Sequence, residues 1–193
     1  MKKNGYSFLE VLVAITVMVI VAGAALPLAH GGIERSRAAA AARYVAVRLA
    51  VARFEAVKRS ASVAIRFTEH ADGYRLQTYV DGNGNGVLSD DIARGIDLPI
   101  GGVERLDFHF PGVTFGIFAN VTGIDSAQPL DTNDPIQIGA STLFSFSPDG
   151  SSTSGTLYIR GRRASQFAVR VLGATGRGRI FQFDFDGAIW RRQ

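Results

Sequence analysis

Few residues of this 193-residue chain have the type and spacing for chemistry, and most of those few carry charge rather than reactivity. Cysteine is absent, which excludes disulfides, thiolate metal sites and a sulfur nucleophile. The three histidines, His30, His70 and His109, make no H-E-x-x-H spacing, and neither a G-x-S-x-G elbow nor a phosphate-binding P-loop occurs. Glu69-His70 is the one adjacent acid and histidine pair, and it reads as the solvated end of a strand. The chain is therefore not expected to be an enzyme, and it offers no catalytic residue. Three polar sets remain: Glu10 at the head of an apolar run, Asp81, Asn83 and Asn85 in a ladder of glycines, and Arg177 and Arg179 around Gly178.

Each set has its own chemistry. Residues 11–29 are nineteen uncharged positions behind Lys2 and Lys3, close to the roughly 20 residues that span a bilayer. The two lysines would hold the amino terminus in the cytoplasm. A secretory signal peptide competes with an anchor here, but the run exceeds the usual 7 to about 15 residues of such a peptide. It also opens on Glu10, a carboxylate that costs about 2.5–3.5 kcal/mol in mid-bilayer unless it has a partner. Asp81, Asn83, Asn85 and the Val87 carbonyl match the first four ligand positions of a calcium loop, with Gly86 at its turn. The twelfth position is Ile92 rather than glutamate, with Asp90 or Asp91 as substitutes, and Asn-Gly pairs are also ordinary hairpin turns. Calcium is the one cofactor the sequence raises. Gly176-Arg177-Gly178-Arg179 places two forked guanidiniums on a close-approach turn, which suits phosphate. Arg160, Arg162, Arg163, Arg170, Arg191 and Arg192 could extend a DNA footprint, and Trp190 could stack on a base. Arginines on an edge strand equally serve to discourage aggregation.

These sets need elements to position them. Residues 33–60 are rich in strong helix formers, and with the apolar run they predict one helix over 7–59, loosened near Pro27. Ala40, Tyr44, Val47, Val51 and Phe54 recur at steps of four and three, and this stripe is expected to face the core. Beyond Ser60 the period becomes two, predicting strands at 62–67, 74–80, 103–110, 113–118, 142–147, 155–160, 167–172 and 179–185. His109 then points outward between two core-facing phenylalanines, and residues 119–141 form a mobile surface loop. One long helix followed by a run of strands predicts an α+β fold, a transmembrane half plus an amphipathic half packed on mostly antiparallel sheets. Charge is segregated along it: +6 over residues 1–59, −8 over 60–154 and +6 over 155–193. Such polarity suits assembly between copies or neighbours, or an anionic partner for the basic end.

The sequence Gly5-Tyr6-Ser7-Phe8-Leu9-Glu10 behind a basic leader resembles the cleavage motif of type IV prepilins and pseudopilins. The resemblance implies that residues 1–5 are a leader removed by a prepilin peptidase, cutting between Gly5 and Tyr6, and that the new terminus at Tyr6 is N-methylated. It also implies that Glu10 meets the terminal amine of a neighbouring subunit, and that Pro27 is the helix-kinking proline. Residues 6–29 would form the transmembrane and filament-core helix, 30–60 the amphipathic half, and 61–193 a periplasmic β-rich domain. Phe144-Ser145-Phe146-Ser147-Pro148-Asp149-Gly150, Thr156-Leu157-Tyr158-Ile159, Phe167-Ala168-Val169-Arg170-Val171 and the glycine ladder from Asp81 resemble the GspH/FimT branch. That branch implies either of two roles. One is a minor pseudopilin at or near the tip of the periplasmic pseudopilus in type II secretion. The other is a minor pilin that binds DNA for uptake through the element matching Gly176 to Arg179. Implied partners are other pseudopilins or minor pilins, the prepilin peptidase and an inner-membrane assembly platform.

Overall fold

The computed structural model describes residues 7–139 and 141–193, excepting the side chains of 24–31. Helix α1 covers Phe8–Arg59, 52 residues, as the density of alanine and other helix formers requires. It stops at Ser60, which adopts left-handed backbone (φ 51°) and turns its N–H back to the carbonyls of Ala56 and Val57.

The rest of the chain is two antiparallel sheets laid against the second half of α1. Strands β1 (Val63–His70), β2 (Gly73–Val80), β3 (Leu98–Arg105) and β6 (Leu143–Phe146) form the first, in the order β3-β2-β1-β6. Strands β7 (Gly155–Arg160), β8 (Gln166–Leu172), β9 (Arg177–Asp184) and β10 (Ile189–Arg192) form the second, with β4 (Thr114–Phe115) at the end of the order β10-β9-β8-β7-β4. Strand β5 (Ile136–Gln137) also pairs with β7, so β7 is flanked by β4 at one end and β5 at the other. Two short helices, α2 (Ser89–Ala93) and α3 (Leu106–His109), cap the first sheet.

The core lies where both sheets meet α1. From the sheets come Phe67, Phe144, Phe146 and Phe167, all fully buried, and truncating any of them to alanine costs about 3–5 kcal/mol. From the helix come Ala38, Ala42, Val45, Leu49, Ala52 and Ala56, spaced three and four apart. Small side chains there let the sheets approach the helix axis closely. The Tyr44 hydroxyl donates to Glu104 (2.5 Å), which also pairs with Arg48 (2.5 Å), tying edge strand β3 to α1. Burial, then the Glu104 contact, pushes the Tyr44 phenol up to about 12.

The α+β architecture and most strands agree with the periodicity, and four expectations need correction. Of the stripe Ala40, Tyr44, Val47, Val51 and Phe54 only the amino-terminal end meets the core, where half-buried Tyr44 packs; Val47 is 58%, Val51 42% and Phe54 64% exposed, and the fully buried face is the alanine-rich one. Residues 103–110 do not form one strand. The chain leaves β3 at Arg105 and makes one helical turn, because Leu106 buries while Phe110, four residues on, packs on Tyr44 and leaves Phe108 83% exposed. His109 does point outward, its ring against Tyr44. Residues 119–141 are no loose surface loop: Val121 and Ile138 are fully buried, and β5 pairs within the second sheet. The strand expected over 113–118 shortens to β4, while β10, absent from the periodic pattern, closes the sheet's far edge.

Candidate functional site

The amino-terminal end of α1 carries Glu10 in its first turn, where a carboxylate is favoured by the helix dipole. From Ser7 to Gly23 every residue is exposed, including Phe8, Leu9, Met18 and Ile20. Among the described residues no helix is long and apolar enough to cross a membrane; the nineteen-residue run continues through 24–29, whose side chains are not described. Gly5 and Tyr6 lie outside the described residues, as does the side chain of Pro27.

Further along, α1 has two apolar faces. The inner one holds Val45, Leu49 and Ala52 against the sheets, and the outer one holds Ile33, Val47, Val51 and Phe54. Val47 sits two residues from both Val45 and Leu49, about 200° around the helix from each. The exposed run Val47, Val51 and Phe54 is about 10 Å long; Ile33 is separated from it by Arg37, which donates to the Pro111 carbonyl, and by half-buried Tyr44, which packs on His109 and Phe110. The larger side chains of the run are the ones a core would ordinarily take, left in solvent.

The second sheet has a comparable outer face. Cross-strand partners share a side of a sheet, so the register of Arg170 with Arg179, Leu172 with Arg177, Phe181 with Arg192 and Phe183 with Trp190 puts all of them together. Among the described residues, Arg177, Arg179 and Arg192 have no ion-pair partner, while Arg170 pairs with Asp125. Asp125, Arg170, Leu172, Arg179, Phe181 and Trp190 line an open recess of about 390 Å³. The structure scatters the other arginines named from sequence. Arg191 faces the opposite side and pairs with Asp184 (2.8 Å), Arg162 and Arg163 lie in the β7–β8 turn, and Arg160 sits over the Phe118 ring. Trp190 is a structural residue first: its indole N–H donates to the Thr122 carbonyl (2.7 Å) and its ring meets Phe183 edge-on.

Gly176 holds this edge in place. It has φ +59°, and an added Cβ would stand 2.5 Å from the Gly150 carbonyl oxygen and 2.8 Å from Arg53 Cδ. Arg53 Nε in turn donates to that Gly150 carbonyl (2.8 Å). Helix α1 thus fixes the turn from which Arg177 and Arg179 start, a role for Arg53 that no motif announced. An arginine placed on a helix otherwise reads as solvated surface.

The glycine ladder is closed on itself. Asp81 Oδ1 accepts from the backbone N–H of Asn83 and Gly84, and Oδ2 from Gly86. The Asn83 and Asn85 side-chain amides donate to Asp91, which is fully buried and also paired with Arg94. Asp97, equally buried, accepts from the backbone of Gly82 and Leu88. As arranged, the oxygens of Asp81 accept from backbone amides and the two asparagines turn N–H groups toward Asp91. Among the described residues no cluster of three acidic or histidine side chains could hold a metal.

A stem helix whose second half is packed on antiparallel sheets is the pilin-like arrangement. Residues 41–176 match the family described as Type II transport protein GspH, and the chain belongs to that family, one of structural pilin-like subunits. Residues 1–26 match the prokaryotic N-terminal methylation motif. The pilin-like protein PilA1 of Thermus thermophilus is 38% identical over 86 residues, 44% of this chain. The chain spans about half the length of that curated relative, 53%. No solved structure matches. Arg177 and Arg179 lie just beyond the matched span.

Proposed function

We propose that the chain is a minor pseudopilin of type II secretion, a structural subunit at or near the tip of a periplasmic pseudopilus that supports protein export. The observation that carries this reading is the exposed surface of α1, mainly apolar from Phe8 to Val21 and again at Val47, Val51 and Phe54. A helix that already buries one apolar face against its own domain and exposes another is built to pack against further helices. The family's description as a type II transport protein supports the secretion role.

In this reading the leader is cut between Gly5 and Tyr6, and Tyr6 becomes N-methylated. Residues 6–29 anchor the chain in the inner membrane, with its amino terminus cytoplasmic and the sheets periplasmic. On assembly Glu10 pairs with a neighbour's terminal amine, which supplies the partner that a carboxylate in an apolar surround requires. Pro27 loosens the helix between stem and domain. The partners are other pseudopilins, the prepilin peptidase and the inner-membrane assembly platform, and no residue does catalysis.

The test compares Glu10→Ala with a Val51→Ser, Phe54→Ser double variant. Both are expected to enter the membrane and to incorporate poorly into filaments, and the double variant should melt with wild type. Normal incorporation of both would overturn the assignment. A second reading, a type IV minor pilin that binds DNA for uptake, is favoured by Arg177, Arg179 and Arg192, unpaired among the described residues on one face of the second sheet.

A further inference from the structure

The DNA reading leaves Arg170 and the segment that covers it unexplained. Arg170 and Arg179 are direct cross-strand partners on the outer face, where like charges repel and destabilise the pair. Asp125 relieves that repulsion by pairing with Arg170. Its position is built rather than accidental. Residues 121–130 fold back on themselves, with Leu130 N–H on the Val121 carbonyl (2.9 Å), Gly123 N–H on the Gln128 carbonyl (3.0 Å) and Thr122 bridged to Pro129. Buried Val121 and the Trp190 bond to Thr122 fasten this small hairpin to the sheet, and Asp125 is carried at its tip. The tip is where a single negative charge reaches the recess, and Asp125 remains exposed enough to leave it.

We propose that Arg170 and Arg179 form a phosphate site for the backbone of duplex DNA, and that Asp125 fills this site in the free chain as a displaceable internal carboxylate. The proposal rests on the DNA-binding reading above. A phosphodiester entering the recess takes over the Arg170 guanidinium, bridges it to Arg179, and releases Asp125 to solvent. Arg177 and Arg192 lie further along the same face, where they meet adjacent phosphates. Leu172 and Phe181 give the recess an apolar floor against which the sugar can rest. Asp125 sets the threshold: only a polyanion offering several phosphates at once outcompetes a carboxylate tethered in place.

The experiment measures binding of a labelled DNA duplex by fluorescence anisotropy across a salt series, with the full chain in detergent. It uses wild type, Asp125→Asn, Arg170→Gln, the Asp125→Asn, Arg170→Gln double variant, and Asp131→Asn as a net-charge control from the same segment. Freeing one phosphate contact should raise the affinity of Asp125→Asn by at least about threefold and steepen its salt slope by about 0.9. The gain should vanish in the Arg170→Gln background and be absent in Asp131→Asn. An equal gain in Asp131→Asn, or one that survives Arg170→Gln, overturns the proposal as a bulk charge effect. If Asp125→Asn binds no better than wild type, yet wild-type binding is lost on replacing Arg177 and Arg179 with alanine, the DNA reading stands and the internal carboxylate falls. If neither wild type nor Asp125→Asn binds at low salt, both fall together.

Discussion

Two glycine-rich turns, one in each sheet, treat their polar groups in opposite ways. Between β2 and β3, Asp81, Asp91 and Asp97 turn inward and satisfy backbone and asparagine N–H groups until nothing is left over. Between β8 and β9, the glycine turn delivers Arg177 and Arg179 outward with no partner among the described residues. Buried polar groups must be matched locally, because an unmatched one costs about 1–3 kcal/mol, whereas a solvated arginine waits at no such cost. The first turn holds itself in place and the second leaves two guanidiniums in solvent, although both read as polar glycine ladders in the sequence.

The largest effect that could break this contrast is on folding. Asp91→Ala strands the Asn83 and Asn85 amides and should lower the melting temperature by many degrees, while Arg177→Ala with Arg179→Ala should leave it unmoved. The Asn85 and Asn83 amides and Arg94, outweighing burial, hold the Asp91 carboxyl below the usual range. For Asp81 partial burial acts upward, but the N–H groups of Gly86, Asn83 and Gly84 prevail and hold it low. A depressed folded pKa stabilises fully above the unfolded value of about 3.9, and the contribution is lost as pH falls through the folded pKa. Acid titration of wild type should therefore show a steeper loss of melting temperature below about pH 4 than Asp91→Ala, which keeps the Asp81 contribution; parallel curves would contradict it.

An intermediate effect separates two left-handed glycines. Gly84 (φ +82°) has open space around it, so Gly84→Ala should cost only the backbone strain, about 1–2 kcal/mol. Gly176→Ala adds a collision with the Gly150 carbonyl and Arg53 and should cost more by denaturant melts. Equal costs would mean that the α1 contact does not fix the arginine turn. The smallest expected effect is that of calcium, which should leave the melting temperature of wild type and Asp81→Ala equally unchanged. A rise seen in wild type alone would restore Asp81, Asn83 and Asn85 as ligands.

The sequence made the long helix, most strands and the methylation motif at the amino terminus legible, because each rests on a local period or a contiguous motif. What it hid depends on packing partners. Periodicity picks out Val47, Val51 and Phe54 by size and gives no sign that alanines will be chosen for the close contact behind them. Leu106 and Phe110 share a spacing of four inside a segment that alternates by type, so the switch from strand to helical turn shows only once Tyr44 is in place. At the candidate site Arg177 and Arg179 were visible as a motif. Arg53, 97 residues from the Gly150 carbonyl it holds, and Asp125, which reaches Arg170 from a separate hairpin, were not.

The alanine face of α1 also bears on how such a subunit can change over generations. Alanine has no rotamers to readjust, so Ala38, Ala42, Ala52 and Ala56 admit few replacements: a larger residue wedges the sheets away, and glycine weakens the helix by about 1 kcal/mol. The outer face is under no such constraint from its own domain. Selection can rewrite Ile33, Val47, Val51 and Phe54 to suit a new neighbour while the fold stays as it is. Under the proposed assembly role, partner choice and foldability are inherited on opposite sides of one helix.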